Sequence, residues 1–162
     1  MAPLIYFECH RMPTHHKGPP REVLALDTYI KLIRAADTVV ELVARPMVET
    51  GLTMAQFAVM EALYHLGPMR PTDVARKLLR SGGNITTVLD NLQRDGLLER
   101  VSSAGDRRCL TVRLTRKGRA LLKRVFPKHA AYIAELMSVL NSAEQRELAR
   151  LARKLGVSLR SE

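Results

Sequence analysis

Tryptophan is absent from this chain, and aromatic residues make up only 4% of it. That leaves too few flat rings for the base-stacking platforms of many RNA and single-strand binders. Cysteine is scarce as well. Cys9 and Cys109 lie a hundred positions apart, which excludes a disulfide scaffold and any zinc spacing. No apolar run approaches the roughly 20 residues a membrane span needs. The N-terminus, MAPLIYFECHRMPTHHKGPP, has no basic start followed by an apolar core, so it does not read as a secretory signal. The expectation is a cytoplasmic, reduced protein with no membrane contact. Signatures of common catalytic sites (G-x-S-x-G, H-E-x-x-H, the P-loop, G-x-G-x-x-G, C-x-x-C) are missing too. No enzyme, no cofactor and no metal site are expected.

Acidic residues are also in short supply. The 162 residues carry 16 Asp and Glu against 26 Lys and Arg, for a net charge of +10. That balance favours a polyanionic partner, either nucleic acid or an anionic membrane surface. A chain of this length buries an ordinary core without metal or disulfide staples.

Residues 1–20 stand apart, with four of the eight prolines and three of the five histidines. Proline at that density opposes a helix. The segment reads as a loose arm or as one that packs on a partner subunit, and Met12 is an alternative initiator. Helical periodicity starts near Arg21, with Leu24, Leu26, Ile30, Ile33, Val40 and Val43 at helical steps, and ends before Gly51. Thr53 and Gln56 have the spacing of a capping box for a second helix with Phe57, Met60, Leu63 and Tyr64 on its buried face. Gly67-Pro68 stops it. Pro71 opens a short third helix bearing Val74, Leu78 and Leu79. Ser81 caps a fourth, and Gly96 closes it. Residues 97–101 and 110–114 read as a β-hairpin around a polar tip at 102–108. A fifth helix is expected after Gly118, through Leu140, with a kink at Pro127. A sixth is expected behind a Ser142/Gln145 capping box, closed by Gly156.

The fourth helix carries the chemistry. Ile85, Val88, Leu89 and Leu92 form one apolar stripe. The opposite face presents Gly83, Thr86, Thr87, Asp90 and Arg94, flanked by Asn84 and Asn91. These are small or hydrogen-bonding groups rather than a solvating Lys/Glu coat. Glycine lets the backbone approach closely, and helix N-termini favour phosphate. Asparagine pairs bidentately with adenine, and threonine touches base edges or a thymine methyl. Charge then concentrates in the hairpin. Residues 70–99 have a net charge of +1, while residues 100–119 hold seven basic residues against Asp106 alone, a net of +6. A basic hairpin beside a recognition helix follows the backbone and can place an arginine in the minor groove.

Three stretches together resemble the MarR family of transcription regulators. DRRCLTVRLTRKG at 106–118 resembles its wing, SGGNITTVLDNLQRDGLLER at 81–100 its recognition helix, and LTMAQFAVMEAL at 52–63 its second helix. The resemblance covers roughly residues 22–157. It implies a mostly α fold with a small β-wing, a winged helix-turn-helix lobe at 51–119, and dimerisation helices at 21–50 and 120–162. It further implies a homodimer on palindromic double-stranded DNA, with repression relieved by a small phenolic or aromatic effector or by oxidation. The SGGNIT and FPKHA stretches are similar to the quinone- and catechol-responsive branch. By the same resemblance Ser81, Asn84, Thr86 and Thr87 read the major groove. Asp106 shapes the wing by pairing with one of Arg107 and Arg108, and the other enters the minor groove.

Other residues carry secondary expectations. Arg34, Tyr64 and His65 are the polar groups placed to meet an effector, though an ion pair and core filling explain them as well. Cys109 beside Arg107 and Arg108, and Cys9 in the arm, are the candidate redox residues, against the ordinary reading of a small buried side chain and an incidental thiol. His65 and His129 read as dimer or pocket lining. The rival function is a sequence-neutral, chromatin-like nucleic-acid binder, which would show a steep salt slope without sequence preference.

Overall fold

The computed structural model describes residues 14–78, 82–103 and 106–159. The chain divides into an N-terminal unit ending at Arg45 and a second unit from Pro46 onward.

In the first unit, helix α1 spans Pro20–Ala44. Pro20 begins the helix rather than ending the arm, because a proline at the first position loses no intrahelical bond. The Pro19 carbonyl accepts from Glu22 N (2.9 Å) and Val23 N (3.2 Å). Before it, His16 Nε2 lies 3.0 Å from Glu22 Oε2. Along the helix Glu41 pairs with Arg45 at 2.7 Å, and Lys31 pairs with Asp27. Leu24, Tyr29 and Val40 are exposed.

A 3-10 turn at Arg45–Thr50 leads into the second unit, followed by α2 at Met54–Leu66. The capping box forms as read. Thr53 Oγ1 accepts from Gln56 N at 3.2 Å, and Gln56 Oε1 accepts from Thr53 N at 2.9 Å. Gly67, at φ +82°, ends the helix. Helix α3 is Pro71–Leu78, and α4 is Gly82–Arg94. Strands β1 (Leu98–Ser103) and β2 (Asp106–Leu114) make an antiparallel hairpin with Leu98 opposite Leu114 and Arg100 opposite Val112. The strands run further than the hydrophobic pattern foretold: Ser102, Ser103 and Asp106, all within the expected polar tip, join the ladder. Met69 adds a bridge to Val112 with bonds of 3.1 and 2.8 Å. A single residue has no pattern to read, so the sequence showed no trace of it.

Helix α5 is Arg116–Met137 and α6 is Ser142–Ser158. Three expectations need correction here. Helix α5 starts two residues before Gly118, because Thr115 Oγ1 accepts from Gly118 N at 3.0 Å and caps it. The second capping box is Asn141 with Glu144: Asn141 Oδ1 accepts from Ala143 N and Glu144 N, and Glu144 Oε2 accepts from Asn141 N at 2.8 Å. Gln145 instead donates to the Met137 and Leu140 carbonyls, closing the turn before α6. Gly156 lies inside α6 and does not end it.

Within the second unit, one core joins the elements from the 3-10 turn to α5. Phe57, Met60, Leu63, Val74, Leu89, Leu92, Leu98, Val112 and Leu122 are almost wholly buried. Each such side chain contributes about 1.5–3 kcal/mol from area removed from water. The core fixes α4 on one side, leaving its other side outward, and holds the wing at its end. Among the described residues, no helix is long and apolar enough to cross a membrane.

Candidate nucleic-acid interface and a nearby cavity

Helix α4 buries Ile85, Leu89 and Leu92, so its apolar stripe is the one the periodicity picked out. Thr86, Thr87 and Arg94 are exposed, and Asn91 is half-buried. Gly83 and Asn84 lie in the first turn of the helix, while Ser81 and Cys9 lie outside the described residues.

The helix ends in a Schellman motif. Gly96 has φ +69°, its N–H bonds the Gln93 carbonyl at 3.0 Å, and the Leu97 N–H bonds the Leu92 carbonyl at 2.9 Å. The next residues return to this turn from the far end of the hairpin. Thr115 N donates to Leu97 O at 3.1 Å, Thr115 Oγ1 to Gly96 O at 2.8 Å, and Lys117 Nζ to Asp95 O at 2.8 Å. Recognition helix, wing and α5 thus meet at one stitched joint.

The wing's charge is less free than its residue count. Arg113 Nε donates to Glu99 Oε1 at 2.8 Å directly across the ladder. Arg100 Nη2 donates to Asp90 Oδ1 at 2.6 Å, and its other nitrogen bonds Gln93. Asp90 therefore faces the wing instead of standing as a lone carboxylate on the groove face. Arg119 lies over the Tyr64 ring, 5.4 Å from its centroid. Two of the charges assigned to the hairpin are neutralised where they stand.

The ladder is irregular further out. Ser102 pairs with Leu110 and Ser103 with Asp106, so Arg107, Arg108 and Cys109 occupy β2 with no residue opposite on β1. This extra length is a bulge-like widening of one strand. The two arginines that resemble the family's wing pair fall on it, next to Asp106.

A cavity of about 240 Å³ lies between the 3-10 turn and α5, lined by Met47, Glu49, Thr50, Arg124, Lys128 and His129 among others. His129 is 7% exposed, and its ring sits 4.4 Å from that of Phe57. Its Nδ1 is buried with no hydrogen-bond partner among the described residues. Burial pushes the imidazole below its ordinary range, and the Glu61 carboxylate pulls it part of the way back. Tyr64 and His65 are brought together, ring centroids 5.1 Å apart, with His65 edge-on to Phe126 at 4.7 Å. They make an aromatic cluster and do not line this cavity. Arg34 belongs to the N-terminal unit, where its carbonyl accepts from Thr38 Oγ1 at 2.9 Å. The sequence reads His65 and His129 as dimer or pocket lining; of the two, His129 lines this cavity, and nothing local in the sequence reveals its unpartnered nitrogen.

A model of the MarR family matches residues 52–110, from just before α2 into β2. The chain is 37% identical over 133 residues to the uncharacterized HTH-type transcriptional regulator YkoM of Bacillus subtilis (strain 168), a match covering 82% of this chain and 86% of that one. It is 35% identical over 134 residues to the HTH-type transcriptional regulator MhqR of the same organism, covering 83% and 92%. This chain belongs to the MarR family. Among solved MarR-like structures, that of BpsR from Bordetella bronchiseptica aligns at a TM-score of 0.69 and 31% identity, covering 77% of this chain and 95% of that one. The BpsR structure addresses regulation of its DNA binding by 6-hydroxynicotinic acid. As a MarR-family chain, this protein has the family's winged-helix fold and belongs with DNA-binding transcription regulators.

Proposed function

We propose that this chain is a homodimeric repressor that reads a palindromic operator and is released by a small aromatic effector. The observation that carries the DNA reading is the pairing of an exposed Thr86-Thr87 face with a wing joined rigidly to the same helix. Ser81, Gly83, Asn84, Thr86, Thr87, Asn91 and Arg94 form the major-groove set, Arg107 and Arg108 the minor-groove pair, and Asp106 shapes the wing. Glycine, asparagine and threonine at the start of a helix suit close approach and base-edge contact.

Exposed apolar surface supports the dimer. Helix α6 has no buried residue in the single chain, yet Leu148, Leu151 and Leu155 recur along it. An amphipathic helix with its stripe open to water is completed by a second copy. Two recognition helices would then address half-sites about 34–36 Å apart.

The cavity supports the effector. Its volume is below the range of drug-sized sites, which points to a single-ring molecule. Arg124 and Lys128 favour an acid or an acidic phenol, and His129 adds an imidazole to the cavity wall. Regulation of BpsR by a hydroxylated ring acid is consistent with that chemistry.

The test is a mobility shift with DNA upstream of the protein's own gene, against scrambled competitor, with phenols, quinones, 6-hydroxynicotinic acid and peroxide. Selective retention released by one ring compound is the expected result. Release by peroxide alone assigns the signal to Cys9 or Cys109. Equal loss to scrambled DNA favours the sequence-neutral binder.

A further inference from the structure

The Arg100 side chain is 27% exposed, whereas Arg113 on the same hairpin is 51% exposed. Strand alternation explains the difference. Leu98 and Arg100 share one face of β1, and their register partners Leu114 and Val112 are buried. Arg100 therefore emerges at the edge of the core, beside α4. There Asp90 and Gln93, three residues apart on one helix face, fill its planar fork with two acceptors.

We infer that Arg100 is a positioning residue for DNA reading: it clamps the wing to the recognition helix and does not itself contact DNA. This rests on the DNA-reading function proposed above. The clamp lies just inside the point where the ladder turns irregular, between Ser102 and Ser103. Beyond that point the wing carries Arg107 and Arg108. A six-residue strand is about 20 Å long, so a tilt of about 10° at its base moves its far end by about 3 Å. That shift equals a hydrogen-bond length, enough to lose a groove contact.

Charge alone makes the opposite prediction, which makes the inference testable. Asp90→Asn removes a negative charge and frees an arginine, so an electrostatic role would tighten DNA binding. Arg100→Gln would weaken it. A clamp is broken by either change. The experiment measures binding across salt concentrations to a duplex selected by the unmodified protein from a randomised library. It uses Asp90→Asn, Arg100→Gln and the double variant. Both single variants are expected to weaken binding roughly three- to ten-fold, and the double variant no further. The salt slope should stay that of the unmodified protein, because no phosphate contact is lost. Hydrogen exchange of residues 98–114, measured without DNA, should accelerate in both single variants.

Tighter binding by Asp90→Asn, or a salt slope lowered by about one in Arg100→Gln, overturns the inference and makes Arg100 a phosphate contact. Unchanged exchange in 98–114 overturns it as well. If the unmodified protein selects no sequence, the DNA reading fails, and exchange alone decides whether the clamp exists.

Discussion

A Cβ at Gly118 would stand 2.0 Å from the carbonyl oxygen of Leu97. That oxygen already accepts from Thr115 N at 3.1 Å, so it has no room to withdraw. Gly118 is thus demanded by close approach and not by an unusual φ. Gly118→Ala should destabilise the protein by about 1–3 kcal/mol, even though alanine is the better helix former by about 1 kcal/mol. Urea unfolding measures this directly. An unchanged or raised midpoint would show that α5 and the Gly96-Leu97 turn can part freely.

His129 should give stability a pH dependence near neutrality. Its folded pKa is depressed by burial below the unfolded value of about 6.5. The unfolded chain then binds more protons between the two values, so stability rises with pH across that window. The contribution is complete above about pH 6.5 and is lost as pH falls toward the folded value. His129→Leu should flatten this part of the profile. Identical pH profiles for the two proteins would rule the effect out.

On the DNA reading proposed above, the interface divides into residues that specify and residues that hold. Thr87→Ala or Asn84→Ala should relax preference at particular base pairs, at a cost of about 1–3 kcal/mol for a bidentate contact. Arg107→Ala or Arg108→Ala should weaken binding more evenly across sequences. Binding profiles on a panel of single-base operator variants separate the two classes. A uniform effect from all four changes would mean that the helix contributes no sequence reading.

The apolar stripe of α6 gives a test of assembly. Leu148 and Leu155 are exposed in the single chain, so replacing both by Glu should leave the lobe folded and shift the species to a monomer in sedimentation. An oligomer that survives the double change would place the interface elsewhere.

Much of this architecture was legible because local rules left one answer. Thr53 and Gln56 have the one spacing that satisfies two orphan N–H groups, and the structure uses it. Gly96 follows a clean apolar stripe and adopts the positive φ that ends a helix. The α6 start was off by one residue because N-x-x-E and S-x-x-Q overlap there. Asn141 takes the cap, and Gln145 is engaged with the preceding turn. Gly156 misled because glycine within a helix costs only about 1 kcal/mol and does not force an end.

The site was less legible where pairing runs through space. Strand spacing puts Leu98 and Arg100 on one face, but nothing in LERVSS shows that this face meets Asp90 and Gln93 of α4. Counting charges by window put Arg100 and Asp90 on opposite sides of a boundary, though they are 2.6 Å apart. The cavity joins a turn at residues 46–50 to α5 residues some 75 positions later, a closure no local pattern encodes.

Helix α5 is one continuous rod with Gly118 near one end and His129 roughly 16 Å along it. Its first turn is fastened to the end of the recognition helix, and its middle forms a wall of the cavity. Pro127 lies between, and a proline there removes one rung of the backbone ladder beside Arg124 and Lys128. On the effector reading proposed above, a ligand in the cavity touches the same continuous helix whose first turn holds the end of α4.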